Sequence, residues 1–377
     1  MAKKPFTPIP PMAELPSPEE INVREILEKY LSGEIDLICV LGPTASGKTK
    51  YAVQLARQIN QLLKTIRGGS ASEKRATPLA AGGGARAEGV GGVLFAADPV
   101  LMAGAEIISA DSRQVYRGMD IGTGKDLNEY EEIPYHLMDI VDAGTKYNIF
   151  EYQRDFEKAY KDIVDRGGIP ILCGGSGLYI EAATCGYSLP EVPPDPELRA
   201  ELEKKTDEEL IAQLASLKPL HNNTDYDTRK RLIRALEIAI YEAEHPVQHT
   251  AFLPKNTYYI GTLVTREVRN AKIDARLDVR LEEGMVEEIR SLIDGTHPAL
   301  CTTDADGNTL PGKPIAPEDL IYYGLEYKFV TLYLIGELTF DEMRTQLATA
   351  IHQFAKRQMT WFRGMERKGI TIHWTAV

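Results

Sequence analysis

Short apolar runs recur along the chain, and most lead into a glycine-rich or polar turn and then a stretch of helical periodicity. Ile35 to Leu41 (IDLICVL) reads as a buried strand, and Lys50 to Asn60 (KYAVQLARQIN) as a helix. Glu106 to Ala110 (EIISA) reads as a strand ending at Asp111, with an amphipathic helix over Tyr152 to Arg166. Ile169 to Cys173 (IPILC) is another buried strand, running into Gly174-Gly175-Ser176-Gly177 and a helix from Leu178. Such alternation predicts an α/β fold, a parallel sheet with helices on both faces. Polar and glycine-rich residues gather after three strands, where sheets of this kind bind ligands.

Further along, Asp195 to Leu217 is charged and helix-like. Thr228 to Glu244 is a strong helix with Leu232, Leu236 and Ile240 on one stripe. Tyr258 to Val264 predicts a strand, Lys272 to Asp294 a helix, and Asp304 to Pro317 a loop. The last third is mostly helical, including Asp341 to Arg363, and closes on a strand-like tail, ITIHW. Before the core, residues 1–18 are proline-rich and read as extended, followed by a short helix within Glu19 to Ser32. Residues 61–104 carry eight glycines between Gly68 and Gly92 and read as a low-complexity loop insertion, with Val93 to Met102 apolar enough to tuck onto the body. A lid is the functional reading of this insertion, and a tolerated surface loop the plainer one.

Composition narrows the class. The chain has 377 residues, 43% hydrophobic and 26% charged, enough for one large or two ordinary domains. Its apolar runs fall short of a membrane span, and MAKKPFTPIPPM has no secretory-type stretch, so a cytoplasmic protein is expected. Four cysteines are scattered without zinc spacing, and Cys39 and Cys173 sit in core-like runs. Pro246 between His245 and His249 argues against a metal-binding helix. A net charge of −12 counts against non-specific coating of nucleic acid but leaves room for a local basic groove.

The chemistry concentrates in Gly42-Pro43-Thr44-Ala45-Ser46-Gly47-Lys48-Thr49, which fits the phosphate-loop pattern G-x-x-x-x-G-K-[ST] in its strand–loop–helix context. Backbone N–H groups would face a bound phosphate, Lys48 would add charge, and the Thr49 hydroxyl would ligate Mg²⁺. Asp111, at the end of a core strand, suits a general base or a Mg²⁺ partner through water, and also a helix cap. No acid follows Ile169–Cys173, which favours group transfer over a nucleotide-hydrolysing motor. The loop Gly174–Gly177 lets backbone approach a substrate or simply turns tightly. Two basic clusters, Arg229, Lys230, Arg231 and Arg234, then Lys356, Arg357, Arg363, Arg367 and Lys368, are solvated faces or flanks for RNA phosphates. Arg276 lies on a helix stripe within ion-pair reach of acids such as Glu283.

Taken together, GPTASGKT (42–49), EIISADSRQVYRGMDIGTGK (106–125), YHLMDIV (135–141), YQRDF (152–156), PILCGGSGLYIEA (170–182), RLIRALEI (231–238), EEGMVEEI (282–289) and AKRQMTWFRG (355–364) resemble the tRNA dimethylallyltransferase family. The resemblance runs from about residue 35 to the C-terminus and implies a P-loop NTPase-like sheet with a mostly helical tRNA-binding insertion. It divides the chain into an extension (1–34), a catalytic core (35–189), a helical insertion gripping the anticodon stem-loop (190–245) and the rest of the core (246–377).

The resemblance further implies transfer of a dimethylallyl group from dimethylallyl diphosphate to N6 of the adenosine beside the anticodon. Residues 42–49 would hold the diphosphate, with Lys48, Mg²⁺ on Thr49 and Arg276 stabilising the leaving group. Asp111 matches the general base, and Asp111, Ser112, Arg113, Gln114, Ser176, Lys230, Arg231, Leu232, Ile233, Arg234 and Gly324 match positions that meet the tRNA. Two departures stand out: Lys272 replaces a commonly paired arginine, and Tyr323 to Lys328 (YGLEYK) differs from the family's Gly-Tyr pattern. With no C-terminal C₂H₂ module, the chain resembles bacterial members, and a monomer is expected. The other readings are a prenyltransferase acting on free AMP, ADP or ATP, a P-loop small-molecule kinase, and a non-catalytic RNA-binding relative.

Overall fold

The computed structural model describes residues 16–73, 103–186, 192–218, 228–245, 254, 256–304 and 307–377. The proline-rich start to Leu15, the greater part of the glycine-rich stretch with Val93–Met102, and His249 lie outside the described residues.

In chain order the elements are α1 (Val23–Leu31), β1 (Leu37–Leu41), α2 (Lys48–Glu73), β2 (Gly104–Ser109), β3 (Tyr116–Arg117), β4 (Tyr135–His136), β5 (Val141–Asp142), α3 (Ile149–Asp165), β6 (Gly168–Gly174) and α4 (Gly177–Thr184). There follow α5 (Pro196–Leu202), α6 (Asp207–Leu217), α7 (Arg229–Glu244), β7 (Thr257–Leu263), α8 (Arg266–Glu282) and α9 (Met285–Asp294). The chain finishes with β8 (Thr302–Thr303), β9 (Thr309–Leu310), α10 (Pro317–Leu320), α11 (Leu325–Leu334), α12 (Phe340–Arg367) and β10 (Ile372–Ala376).

Six strands form one parallel sheet in the order β10-β7-β1-β6-β2-β4. Because side chains alternate across a strand, each feeds two cores. Leu37, Cys39 and Leu41 of β1 face the layer holding α3, α4, α8, α9, α11 and α12. Ile38 and Val40 face the layer of α1 and α2. The fold is therefore a parallel sheet flanked by helices, as the strand–helix alternation predicts, and of the P-loop NTPase-like kind that the resemblance implies. The loops after β1, β6 and β2, three adjacent strands, emerge together at the carboxyl edge.

A third apolar cluster stands apart. Leu202, Leu210, Leu214, Leu232, Ile233 and Leu236 pack α5, α6 and α7 on one another. The helices are held by ion pairs as well: Arg199 and Arg234 both reach the buried carboxylate of Glu237. Arg229 binds Glu203 and Asp207 and donates to two backbone carbonyls at 2.7 Å.

Three boundaries differ from the sequence reading. The helix after the phosphate loop runs to Glu73 instead of ending at Asn60, because Leu63 keeps the helical period and is 1% exposed in the core. Residues 61–73 are thus helix, and the loop reading of 61–104 is corrected there. The helix expected over Lys272 to Asp294 is two, divided at Gly284, whose φ of 101° no helix accommodates. The charged stretch from Asp195 is also two helices, each with its own N-cap, Asp195 and Thr206.

Candidate active site

The phosphate loop is a turn imposed by its neighbours. Ala45 and Gly47 adopt positive φ, and the fully buried Ser46 hydroxyl meets Thr262 Oγ1 of β7 at 2.7 Å. Ser46 is thereby spent on architecture. Lys48 and Thr49 open α2 and line a cavity of about 400 Å³. Asp111, Ser112, Arg113, Gln114, Ser176, Arg276 and Gly324 line the same cavity, together with Thr44. Ten residues singled out in the sequence, drawn from five distant segments, thus share one space.

Asp111 follows β2 and makes an Asx turn: the Arg113 N–H donates to Oδ1 at 2.9 Å. The Ser112 N–H donates to Ser176 Oγ at 3.3 Å, joining the β2 and β6 loops. Gln114 accepts from Ser109 Oγ at 3.1 Å and donates to the Gly124 carbonyl at 3.1 Å. Its carboxamide therefore ties the 120–124 loop to β2. Arg276 donates to that same Gly124 carbonyl at 3.3 Å and pairs with Asp126, in place of Glu283 at the end of its own helix.

Electrostatics follow from burial. Lys48 is pushed below its ordinary value chiefly by desolvation, while the nearby Asp111 pulls the other way. The Cys173 thiol, which donates to the Lys48 carbonyl at 3.8 Å, is pushed up to about 12 by burial and stays protonated. Arg280 and Glu326 form a pair at 3.8 Å on the cavity wall, burial pushing the arginine down and the carboxyl up. Asp126, Glu129 and Lys272 join Thr49 and Arg276 around an adjoining space of about 210 Å³. The far wall is aromatic and apolar, with Tyr322, Tyr323, Ile351 and Phe354. The Arg113 guanidinium sits 5.6 Å from the Tyr322 ring.

The basic helix is a separate place. Lys230 and Arg231 on α7 are exposed, whereas Leu232 and Ile233 are 1% and 4% exposed in the α5–α7 cluster. Those two were expected to meet RNA; their side chains instead face inward, because they fall on the apolar stripe of the helix. Arg234 spans Glu237 and the Val192 carbonyl, 2.9 Å away.

The Gly174–Gly177 loop is also explained by protein. A side chain on Gly175 would meet Gln358 Nε2 at 2.5 Å, and one on Gly177 would meet the Trp361 ring at 2.3 Å. These glycines admit α12, a close approach of protein where the sequence suggested one of substrate. Trp361 Nε1 and Lys368 then both donate to the buried Glu181 of α4. Sequence reasoning missed Gln358, Thr262, Arg280 and Glu288, whose partners lie far away in the chain. Glu288 is the clearest case, accepting from the N–H groups of Asp120, Ile121 and Gly122 at 2.8–3.0 Å.

A family model described as IPP transferase matches residues 114–365. The chain is 50% identical over 345 residues to a Bacteroides fragilis protein named tRNA dimethylallyltransferase 2, covering 90% of this chain and 92% of that one. It is 49% identical over 343 residues to tRNA dimethylallyltransferase 1 of Parabacteroides distasonis, with 90% and 92% covered. The crystal structure of a tRNA isopentenylpyrophosphate transferase from Bacillus halodurans matches with a TM-score of 0.53 at 28% identity, covering 91% of this chain and 89% of that one.

Proposed function

The chain belongs to the IPP transferase family of prenyl-transferring enzymes, and from that premise we propose that it moves a dimethylallyl group from dimethylallyl diphosphate to N6 of the adenosine beside the anticodon of tRNA. The observation that carries the reading is the meeting of Lys48 and Thr49 with Asp111 in one cavity under an aromatic wall. Diphosphate lies along residues 42–49, where backbone N–H groups and Lys48 meet its charge. The bond from C1 to the bridging oxygen breaks, and its electron pair leaves with the diphosphate. Lys48 and Arg276 stabilise the charge that builds there. The N6 lone pair forms the new bond to C1, and Asp111 accepts the N6 proton.

The donor set also suits a divalent ion. Thr49 offers a hydroxyl at the start of α2, with Asp126 and Glu129 lining the space beside it. Mg²⁺ takes hard oxygens and few protein ligands, the rest coming from phosphate and water. Thr49 would hold it, and when bound it would supply positive charge to the leaving oxygens.

The acceptor base must leave its stack to reach this depth. Tyr322 and Phe354 offer faces for it, with Ser112, Gln114, Ser176 and Gly324 lining the same cavity. Helices α5–α7, with a core of their own, form the insertion that grips the stem-loop, Lys230 and Arg231 meeting phosphates. A free nucleotide needs no such module, which favours tRNA over AMP or ATP. Among the described residues no helix is long and apolar enough to cross a membrane, and we place the enzyme in the cytoplasm as a monomer. The test supplies labelled dimethylallyl diphosphate with unmodified tRNA, AMP or ATP, followed by nucleoside mass analysis. Prenylated adenosine in the tRNA digest is expected. Label found only in free nucleotide overturns the reading, and phosphoryl transfer from γ-labelled ATP in a separate reaction, without prenyl transfer, would mean a kinase.

A further inference from the structure

Gln358 is a buried polar residue, 7% exposed, on the α12 face that packs against the sheet edge. Its carboxamide reaches two loops at once. Oε1 accepts from the Thr44 N–H at 2.8 Å and from Thr44 Oγ1 at 3.2 Å. Nε2 donates to the Gly175 carbonyl at 2.8 Å. Only one orientation of the amide is compatible with these partners, since a backbone N–H cannot accept and a carbonyl cannot donate. Thr44 belongs to the phosphate loop. Gly175 precedes Ser176, whose hydroxyl accepts from the Ser112 N–H next to Asp111. One side chain thus spans from the loop that faces the leaving group to the loop that braces the base. The fit is close enough that any side chain at Gly175 would collide with the amide.

We propose that Gln358 is a positioning residue that holds the diphosphate loop in register with the acceptor-side loop, fixing the separation of leaving group and base. The proposal rests on the dimethylallyl-transfer reading. It follows that the Thr44 N–H is engaged by protein and is not among the amides offered to phosphate. Without the tie the two loops shift independently, and a misplacement of about 1 Å at reacting groups costs up to about a hundredfold in rate.

Two variants separate the halves of the tie. Gln358→Met keeps the length and removes both hydrogen bonds. Gln358→Glu keeps an acceptor for Thr44 but sets a second acceptor against the Gly175 carbonyl. Gln358→Met is expected to lower kcat by about tenfold or more at saturating substrates, with the melting temperature within about 5 °C of the parent. Gln358→Glu is expected to raise the KM for tRNA by about fivefold while the KM for the diphosphate stays within about twofold. A purely structural role would lower the melting temperature and leave kcat and both KM values of the folded protein in place, which overturns the proposal. Should the variants fail to fold, amide exchange on the unaltered protein decides: protection of the Thr44 N–H supports the tie, and exchange at the rate of an open loop overturns it. If the unaltered protein transfers no dimethylallyl group, the functional reading falls, and the Thr44 exchange still decides whether the tie exists.

Discussion

Replacing Glu288 by glutamine tests whether one buried carboxylate shapes the cavity floor. Glu288 is 8% exposed on α9. Its Oε2 accepts from the N–H groups of Asp120 and Ile121 at 3.0 and 2.8 Å. Its Oε1 accepts from the Gly122 N–H at 3.0 Å and the Tyr327 hydroxyl at 2.6 Å. A carboxylate has acceptors at both ends and glutamine at only one. If the amide nitrogen takes the Oε1 position, the Tyr327 hydroxyl rotates to accept, but the Gly122 N–H faces another donor. One stranded buried N–H costs about 1–3 kcal/mol, and the two surviving bonds lose their charge assistance, so the substitution costs about 2–4 kcal/mol. Gly122, Thr123 and Gly124 line the cavity, so transfer suffers with stability. Urea unfolding gives the first quantity and kcat/KM for the diphosphate the second. An unfolding free energy unchanged to within about 0.5 kcal/mol, with kcat/KM intact, would refute the assignment.

Other consequences are accessible to titration. Because burial lowers the Lys48 pKa from 10.5, the free enzyme gives up this proton early, and inorganic diphosphate should bind more weakly as pH rises toward that value. In the same window the unfolded chain still holds the proton, so this group's contribution to stability rises with pH. Affinity that stays flat to pH 10.5, or the same slope in Lys48→Met, would contradict this. Glu106 behaves oppositely: the Arg166 hydrogen bonds, opposed by burial and helped by His136, hold its carboxyl below 4.5. Its stabilisation is present above 4.5 and is lost as pH falls through the lowered folded value. Arg166→Met should therefore be less stable at neutral pH, with the gap closing in acid; a gap independent of pH would argue against the pairing.

The residues that the sequence made legible are those with local causes. Leu37–Leu41 and Gly168–Gly174 are apolar throughout because each strand is buried on both faces, and that composition shows without any partner. Asp111 stands out because it directly follows the apolar run of a core strand, where sheets of this kind bind ligands. Arg276 needed the resemblance, since its helix is ordinary and its partners Gly124 and Asp126 lie some 150 positions away. Gln358 and Glu288 carry no local mark at all. One sits in a helix between Arg357 and Met359 and the other directly after Glu287, and only the closing of the chain brings their partners, up to 314 positions distant. The helix past Asn60 was hidden for another reason: Gly68 and Gly69 look like breakers, but the preceding turns anchor the helix through Leu63. Leu232 and Ile233 misled because a basic motif and an apolar stripe share one helix.

The measurement closest to the central claim is single-turnover dimethylallyl transfer to tRNA by the unaltered protein and by Asp111→Asn, with tRNA affinity measured in parallel. The account predicts that the variant loses about a hundredfold or more in rate while binding tRNA equally well, as expected for a general base removed from an intact site. Near-normal transfer by Asp111→Asn, at unchanged affinity, would contradict it.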